Sequence, residues 1–170
     1  ETLKIIQDKF LQKSFLLKNH IPVAQFIQVD SILDLEQGLK KFGYPSLLKA
    51  RRDAYDGRGN FKINSIKDIQ NAFDYFKGEK IMLEKFIPFK MEVSVIAARN
   101  TTGQIKTFPL VENIHEDNIL RKTIAPARIS EKIKEKAENI AKTTMSVLKG
   151  AGVFGIEMFV TQNDQIMINE

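Results

Sequence analysis

The chain has 170 residues, of which 43% are hydrophobic and 28% charged, and its formal net charge is +5. No stretch approaches the roughly 18 uninterrupted apolar residues of a membrane span, and the proportions are those of a globular domain. The absence of cysteine excludes disulfides, thiolate metal sites and a cysteine nucleophile, and two histidines do not favour a multi-histidine zinc site. The positive charge suits an anionic ligand such as a polyphosphate, although many basic proteins bind none.

The first 79 residues are predicted to alternate between helices and strands. A helix capped by Asp8 runs to about Lys18, and its inward apolar stripe is Phe10, Leu11 and Leu17. Two Ser-x-x-Asp capping boxes, which start at Ser31 and Ser65, begin two further helices. The predicted strands are 23–29, 46–50 and 61–63, and a polar, glycine-containing loop fills 51–60.

The second half is predicted to be mostly strands, with one long helix over 130–149. The predicted strands are 80–87, 91–99, 105–109, 110–115, 153–161 and 165–170. Strands followed by a helix and a hairpin indicate an antiparallel sheet backed by a helix, and hence an α+β fold. The chain begins without Met and stops in a strand pattern, so we expect a piece of a longer protein.

The last hairpin carries two carboxylates. If its turn centres on Asn163 and Asp164, Glu157 lies directly opposite Glu170, and such pairs have Cβ atoms roughly 4.5–5.5 Å apart. Two facing carboxylates repel, so a cation is expected between them, and Mg²⁺ prefers such oxygen ligands. The alternatives are that Glu170 lies in solvent or that Lys or Arg neighbours satisfy the pair.

Two other segments suit a nucleotide. Gly57 and Gly59 let backbone amides approach an anion, with Lys49 before them and Arg58 between them. This loop lacks the spacing of a Walker loop, and an ordinary turn between strands is the alternative. At the junction of the two halves, the backbone of 84–88 could read an adenine edge and Glu92 a ribose, or this could be a plain connecting strand. His115 has no partner at a spacing that indicates a general base.

Several of these motifs together resemble one family. They are Asp8-Lys9 with Gln12-Lys13, Tyr44-Pro45 through Lys49, the Tyr-Asp-Gly-Arg-Gly loop at 55–59, 84–88, 109–115, 125–127, Gly155-Ile-Glu-Met158 and Asn169-Glu170. In this order they resemble the ATP-grasp domain of 5-(carboxyamino)imidazole ribonucleotide synthetases, the ATPase subunit of phosphoribosylaminoimidazole carboxylase. The resemblance implies two α+β lobes, 1–79 and 80–170, whose antiparallel sheets enclose the nucleotide. It also implies a cytoplasmic enzyme of purine biosynthesis, and is compatible with a homodimer of the full-length protein.

The implied reaction is the ATP-dependent carboxylation of aminoimidazole ribonucleotide by bicarbonate through carboxyphosphate. By resemblance, Lys49 and Arg58 are catalytic, and Tyr55, Asp56 and Arg58 face the ribonucleotide. Glu157 and Glu170 are the implied Mg²⁺ ligands. The implied ATP site comprises Lys9, Lys49, Ala54, Tyr55, Asp56, Gly57, Arg58, Gly59, Asn60, Glu84, Lys85, Phe86, Ile87, Glu92, His115, Asn169 and Glu170.

The chain departs from the family pattern in three places. Asp53-Ala54 replaces a usual Gly-Gly pair, and Lys9 stands where many members have Arg, which loses a bidentate fork. The Arg- and His-containing segment that follows Asn169-Glu170 in the family is absent, so we expect this fragment to be incomplete for catalysis.

Two other hypotheses stay open at this point. Another ATP-grasp enzyme, such as a carboxylate–amine ligase or a biotin-carboxylase-like protein, would differ in its acceptor. A non-enzymatic module binding nucleic acid or a partner would use the basic charge instead. Its Lys and Arg residues are dispersed and no helix has a dense basic face, so we expect no nucleic acid.

Overall fold

The computed structural model describes residues 1–53 and 59–170. The helices are α1 (Thr2–Ile6), α2 (Lys9–Lys18), α3 (Ile32–Phe42), α4 (Ile69–Tyr75), which follows a 3₁₀ turn at Ile66–Asp68, and α5 (Glu131–Leu148). The strands are β1 (Phe26–Val29), β2 (Ser46–Ala50), β3 (Asn60–Ile63), β4 (Ile81–Lys85), β5 (Phe89–Arg99), β6 (Ile105–Thr107), β7 (Val111–Glu116), β8 (Ile119–Ile124), β9 (Gly152–Thr161) and β10 (Ile166–Ile168). The predicted α+β class with antiparallel sheets is confirmed.

The predicted helix starts are confirmed at two caps. Asp8 accepts hydrogen bonds from the amides of Phe10 and Leu11 at 3.0 and 3.2 Å, which fixes the first turn of α2. Ser31 and Asp34 satisfy each other's backbone amides at the start of α3. Local hydrogen bonding alone therefore locates both starts.

The first sheet has the antiparallel order β1-β4-β2-β3. One face packs on α3 and α4 in a core that includes Leu35, Leu39, Leu48, Ile63 and Leu83. Because side chains alternate along a strand, Lys49 of β2 and Glu84 of β4 lie on the opposite face. That face is the one that α2 approaches, since Phe10 of α2 stacks edge-on against Phe26 of β1.

The second sheet has the order β10-β9-β5-β7-β8, and β6 pairs with the end of β5. Its rear face packs on α5 in a core that includes Val93, Val95, Ala137, Met145 and Met158. By alternation, the front face carries Glu92 and Ser94 of β5 and Glu157 of β9, which lies opposite Ser94.

The predicted apolar stripe of α2 is wrong at Leu11 and Leu17, whereas Phe10 packs against Phe26. Leu11 and Leu17 are 42% and 59% exposed, whereas Lys13 and Leu16 are buried. Leu16 joins the core of the second sheet, and Lys13 points to a carboxylate of the first. The helix lies between the two sheets, so its buried face includes a cation that apolar periodicity does not register.

The division into lobes at 79/80 stays a prediction. Strand β4 follows that boundary but pairs with β1 and β2 of the first sheet. Across the described ranges, no helix is both long and apolar enough to span a bilayer.

Candidate active site

A carboxylate shared by two lysines lies at the centre of the site. Glu84, which is 1% exposed, receives Lys49 Nζ on Oε1 at 3.0 Å and Lys13 Nζ on Oε2 at 2.8 Å. Lys49 and Glu84 are diagonal neighbours on adjacent strands, since Lys49 pairs with Met82, two residues before Glu84. Lys13 reaches the same carboxylate from α2. Both sequence-predicted residues, Lys49 and Glu84, are therefore brought together.

The two lysines keep the Glu84 carboxylate ionised. Burial would raise the pKa of the Glu84 carboxyl, but Lys49 and Lys13 together lower it to about 2. Burial lowers the pKa of Lys13, and Glu84 opposes that effect. The carboxylate is thus the counter-charge that both buried lysines contact.

Glu84 predicts a specific loss of stability in acid. Its pKa falls from 4.5 in the unfolded chain to about 2 in the folded one, so its contribution is complete above pH 4.5 and is lost as the pH falls towards 2. We expect about 3 kcal/mol over that interval. Urea unfolding of the full-length protein between pH 5 and pH 3 measures the first part of this loss, about 2 kcal/mol. A Glu84→Gln protein, which cannot titrate there, should show a shallower profile, and parallel profiles would contradict the assignment.

A third basic residue, Lys9, lies one turn before Lys13 on α2 and contacts Glu170 Oε1. Burial, together with Lys49 and Lys13, lowers the pKa of Lys9 to about 8, while Glu157 and Glu84 oppose that shift. Three lysines from α2 and β2 therefore converge on one region bordered by three carboxylates.

The terminal hairpin brings Glu157 and Glu170 together, but not through the predicted register. Ile168 pairs with Met158, one position away from the pairing that a two-residue turn at Asn163-Asp164 would give. The loop is instead closed by Thr161 and Gln165, with Asp164 at φ 57. Both Asn169 and Glu170 then donate their amides to the Glu157 carbonyl, at 2.8 and 3.4 Å, and Glu157 donates to the Glu170 carbonyl at 2.8 Å. This β-bulge adds the residue that returns Glu170 to Glu157.

These residues fit a hard cation. Asn169 Oδ1 is buried and accepts no hydrogen bond from the described part of the chain. The Asn169 backbone amide donates to the Glu157 carbonyl, and Glu170 follows it in the chain. Carboxylate and amide oxygens are the donors that Mg²⁺ and Ca²⁺ take, and Mg²⁺ is commonly bound through one or two carboxylates plus substrate phosphates. Among the described residues, no group of three or more His, Cys, Asp or Glu could hold a metal ion.

Glu92 and His115 form a pair on the front face of the second sheet. His115 Nδ1 lies 3.2 Å from Glu92 Oε2, and a shift in the pairing of β7 and β8 between Ile114 and His115 sets the position of the ring. Burial raises the pKa of Glu92, Glu157 adds to the effect, and His115 and Lys49 oppose it. Glu92 therefore lies within the field of both the carboxylate pair and Lys49.

The remaining predicted positions lie at the end of β4 and at the start of β3. Lys85 ends β4, donating its amide to the Gln25 carbonyl at 2.8 Å, and half-buried Phe86 and Ile87 follow it. Lys62 Nζ sits 4.6 Å from the centroid of the Phe86 ring. The Gly59 carbonyl accepts the Ala50 amide at 2.9 Å, and Asn60 pairs with Lys49. The predicted positions Ala54, Tyr55, Asp56, Gly57 and Arg58 lie outside the described residues.

Two features of the site carry no assignment from the motifs. Lys13 belongs to one of the family motifs, but the resemblance implies no role for it. The Asp8 carboxylate, besides capping α2, receives Arg51 Nη2 at 2.7 Å and Arg51 Nε at 3.0 Å. Burial would raise the pKa of Asp8, but Arg51 and the Leu11 amide lower it. Asp8 and Arg51 are 43 residues apart in the chain, so no local sequence pattern predicts their contact.

The ATP-grasp domain family matches residues 14–170. Among sequence relatives, the phosphoribosylaminoimidazole carboxylase of Candida albicans is 40% identical over 172 residues, which cover 100% of this chain and 30% of that protein. The N5-carboxyaminoimidazole ribonucleotide synthase of Staphylococcus aureus strain COL is 36% identical over 170 residues, which cover 100% of this chain and 45% of that one.

Solved structures of carboxyaminoimidazole ribonucleotide synthases are similar to this chain. The carboxyaminoimidazole ribonucleotide synthase of Aspergillus clavatus complexed with ATP gives a TM-score of 0.96 at 38% identity, covering 99% of this chain and 45% of that one. The N5-carboxyaminoimidazole synthase of the same organism, in complex with ADP and 5-aminoimidazole ribonucleotide, gives 0.92 at 36% identity, with 99% and 44% covered. A D-alanine-D-alanine ligase from Coxiella burnetii gives 0.86 at 20% identity, over 99% of this chain and 47% of that one, which shows the fold alone.

The chain thus spans less than half the length of these relatives. The family match covers nearly all of the chain, and Lys49, the carboxylate pair and the two sheets lie within it, whereas Lys9 and Lys13 precede it. The chain belongs to the ATP-grasp domain family.

Proposed function

We propose that this chain is the nucleotide-binding part of a ligase that uses ATP to carboxylate aminoimidazole ribonucleotide with bicarbonate, in purine biosynthesis. The observation that carries the proposal is the convergence of Lys9 and Lys49 with Glu157, Glu170 and the unpartnered Asn169 Oδ1. Cations for a polyphosphate and oxygen ligands for a metal meet there. Relatives at 36–40% identity carry names for this activity.

In the proposed reaction, a bicarbonate oxygen attacks the γ-phosphorus of ATP, which forms carboxyphosphate and releases ADP. The exocyclic amine of the ribonucleotide then attacks the carboxyl carbon, and phosphate leaves. Lys49 and Lys9 hold phosphate oxygens, and their charges offset the negative charge of the transferring group. The backbone of residues 84–87, at the end of β4 and just beyond it, faces the adenine. Glu92 faces the ribose, and His115 orients Glu92. Arg58, with Tyr55 and Asp56, is proposed to face the ribonucleotide.

Glu157, Glu170 and Asn169 would hold Mg²⁺, which supplies charge neutralisation at the phosphates when bound. We also propose that the lobes 1–79 and 80–170 enclose the nucleotide, and that the full-length protein is a cytoplasmic homodimer.

The full-length protein tests this function. We expect ADP release from ATP to rise several-fold only when bicarbonate and aminoimidazole ribonucleotide are both present, with ¹⁴C from bicarbonate entering an acid-labile product. The Lys49→Met protein should lose this activity, whereas Lys40→Met, at an exposed position on α3, should keep it. If ATP binds but another amine or carboxylate stimulates ADP release instead, the acceptor is wrong and a different ATP-grasp ligase is indicated.

A further inference from the structure

The buried lysine on α2 has no role in the proposed reaction. Lys13 is 1% exposed, and its Nζ contacts Glu84 Oε2 at ion-pair distance without making a directed hydrogen bond to any described residue. A buried ion pair contributes little to stability compared with apolar residues of the same size. Stability therefore does not explain a lysine at this position. The Lys13 charge does, however, lie close to other charged groups.

The neighbour that matters is Lys49. Each oxygen of Glu84 receives one lysine, Oε1 from Lys49 and Oε2 from Lys13. The group of three therefore carries one net positive charge. Lys49 is the more accessible of the two lysines, at 7% exposed against 1%, and it is the one at the end of the strand that leads to the 51–60 loop.

We propose that Lys13 is a positioning residue for Lys49, because it shares the Glu84 carboxylate and so leaves the Lys49 ammonium aimed but only half neutralised. This proposal rests on the ATP site proposed above and deepens it. Glu84 aligns Lys49 from one side, and a phosphate oxygen takes the rest of its charge from the other.

Lys13 therefore affects the competition between Glu84 and a phosphate for the Lys49 ammonium. Without the Lys13 charge, Glu84 and Lys49 would form a closed neutral pair in a buried place, where Coulomb attraction is strong. A phosphate would then have to draw Lys49 away from a carboxylate that has no other cation. ATP affinity would fall even though Lys13 itself touches no nucleotide.

A double-mutant cycle on the full-length protein tests this. ATP dissociation constants are measured by calorimetry for wild type, Lys13→Met, Lys49→Met and the double variant. We expect Lys13→Met to weaken ATP binding about tenfold, which corresponds to about 1.4 kcal/mol. In the Lys49→Met background, the same change should alter the dissociation constant less than about twofold, because the residue through which Lys13 acts is gone.

Other outcomes would overturn the proposal. An equal loss in both backgrounds means that Lys13 acts on the nucleotide directly or through the fold, and no loss in the wild-type background means that it does not act on ATP. Where binding is too weak for calorimetry, protection from thermal unfolding by millimolar ATP gives the same comparison.

Two further variants guard against a folding defect. Lys13→Arg keeps the charge and should retain ATP affinity within about threefold, and Lys13→Gln repeats the neutral change with a polar side chain. The ratio of ATP constants does not depend on the acceptor, so a wrong acceptor would leave the cycle intact. Failure of the wild-type protein to bind ATP would instead remove the proposed function itself.

Discussion

Replacing Glu84 by alanine is expected to destabilise the protein by about 3–5 kcal/mol, the usual cost of removing one partner from a buried ion pair. Two lysines, 1% and 7% exposed, would then face each other with no counter-charge. They would either remain charged in a poorly solvated place or lose protons, and both cost free energy. Urea unfolding of the full-length protein at neutral pH measures the loss.

The matched control is Glu135→Ala, at an exposed position on α5. Surface substitutions of this kind usually change stability by less than about 0.5 kcal/mol. If Glu84→Ala unfolds at the same urea concentration as this control, the two lysines do not depend on Glu84 for their charge.

Replacing Glu157 by glutamine is expected to lower turnover about 10²–10³-fold, the range found when one group that stabilises transition-state charge is removed. Glutamine keeps the shape and one oxygen but removes the charge that faces Glu170 across the bulge. ATP binding should also lose its dependence on Mg²⁺, which calorimetry with and without the metal detects.

Asp164→Asn is the control for this change. It is the same acid-to-amide exchange on the same hairpin, at an exposed turn residue whose positive φ asparagine also tolerates. We expect it to keep the Mg²⁺ dependence of the wild type. A Glu157→Gln protein with normal metal dependence would show that the metal lies elsewhere.

Elements with local signals could be predicted from the sequence. The capping box at Ser31 and the long helix α5 each depend on residues within a few positions of one another, and both predictions are confirmed. Strand β8 has no such signal, because five of its six residues are exposed and its side chains do not alternate between core and solvent. Helix α1 is five residues long with no side-chain cap, so nothing local marks it either.

Glu157 and Glu170 lie together as predicted, but the strand register that brings them together differs from the predicted one. The observed loop is one residue longer than predicted, and this longer loop alone would set Glu157 opposite Asn169. The bulge at Asn169 and Glu170 compensates. Neither irregularity has a strong sequence signature, because Asn and Asp suit several turn types and no glycine marks the bulge. Lys13 was missed for another reason: its partner lies 71 positions away in the chain, on β4.

Helix α2 is attached to the first sheet at two points. At the start of the helix, the Asp8 carboxylate forms an ion pair with the Arg51 guanidinium, and five residues later Lys13 forms one with Glu84. On its other side, Leu16 is embedded in the core of the second sheet. Because both ion pairs attach α2 to the first sheet, we expect the helix to stay with that sheet if the two sheets move relative to each other. Lys9, which lies between the two ion pairs, would then keep its position relative to Lys49.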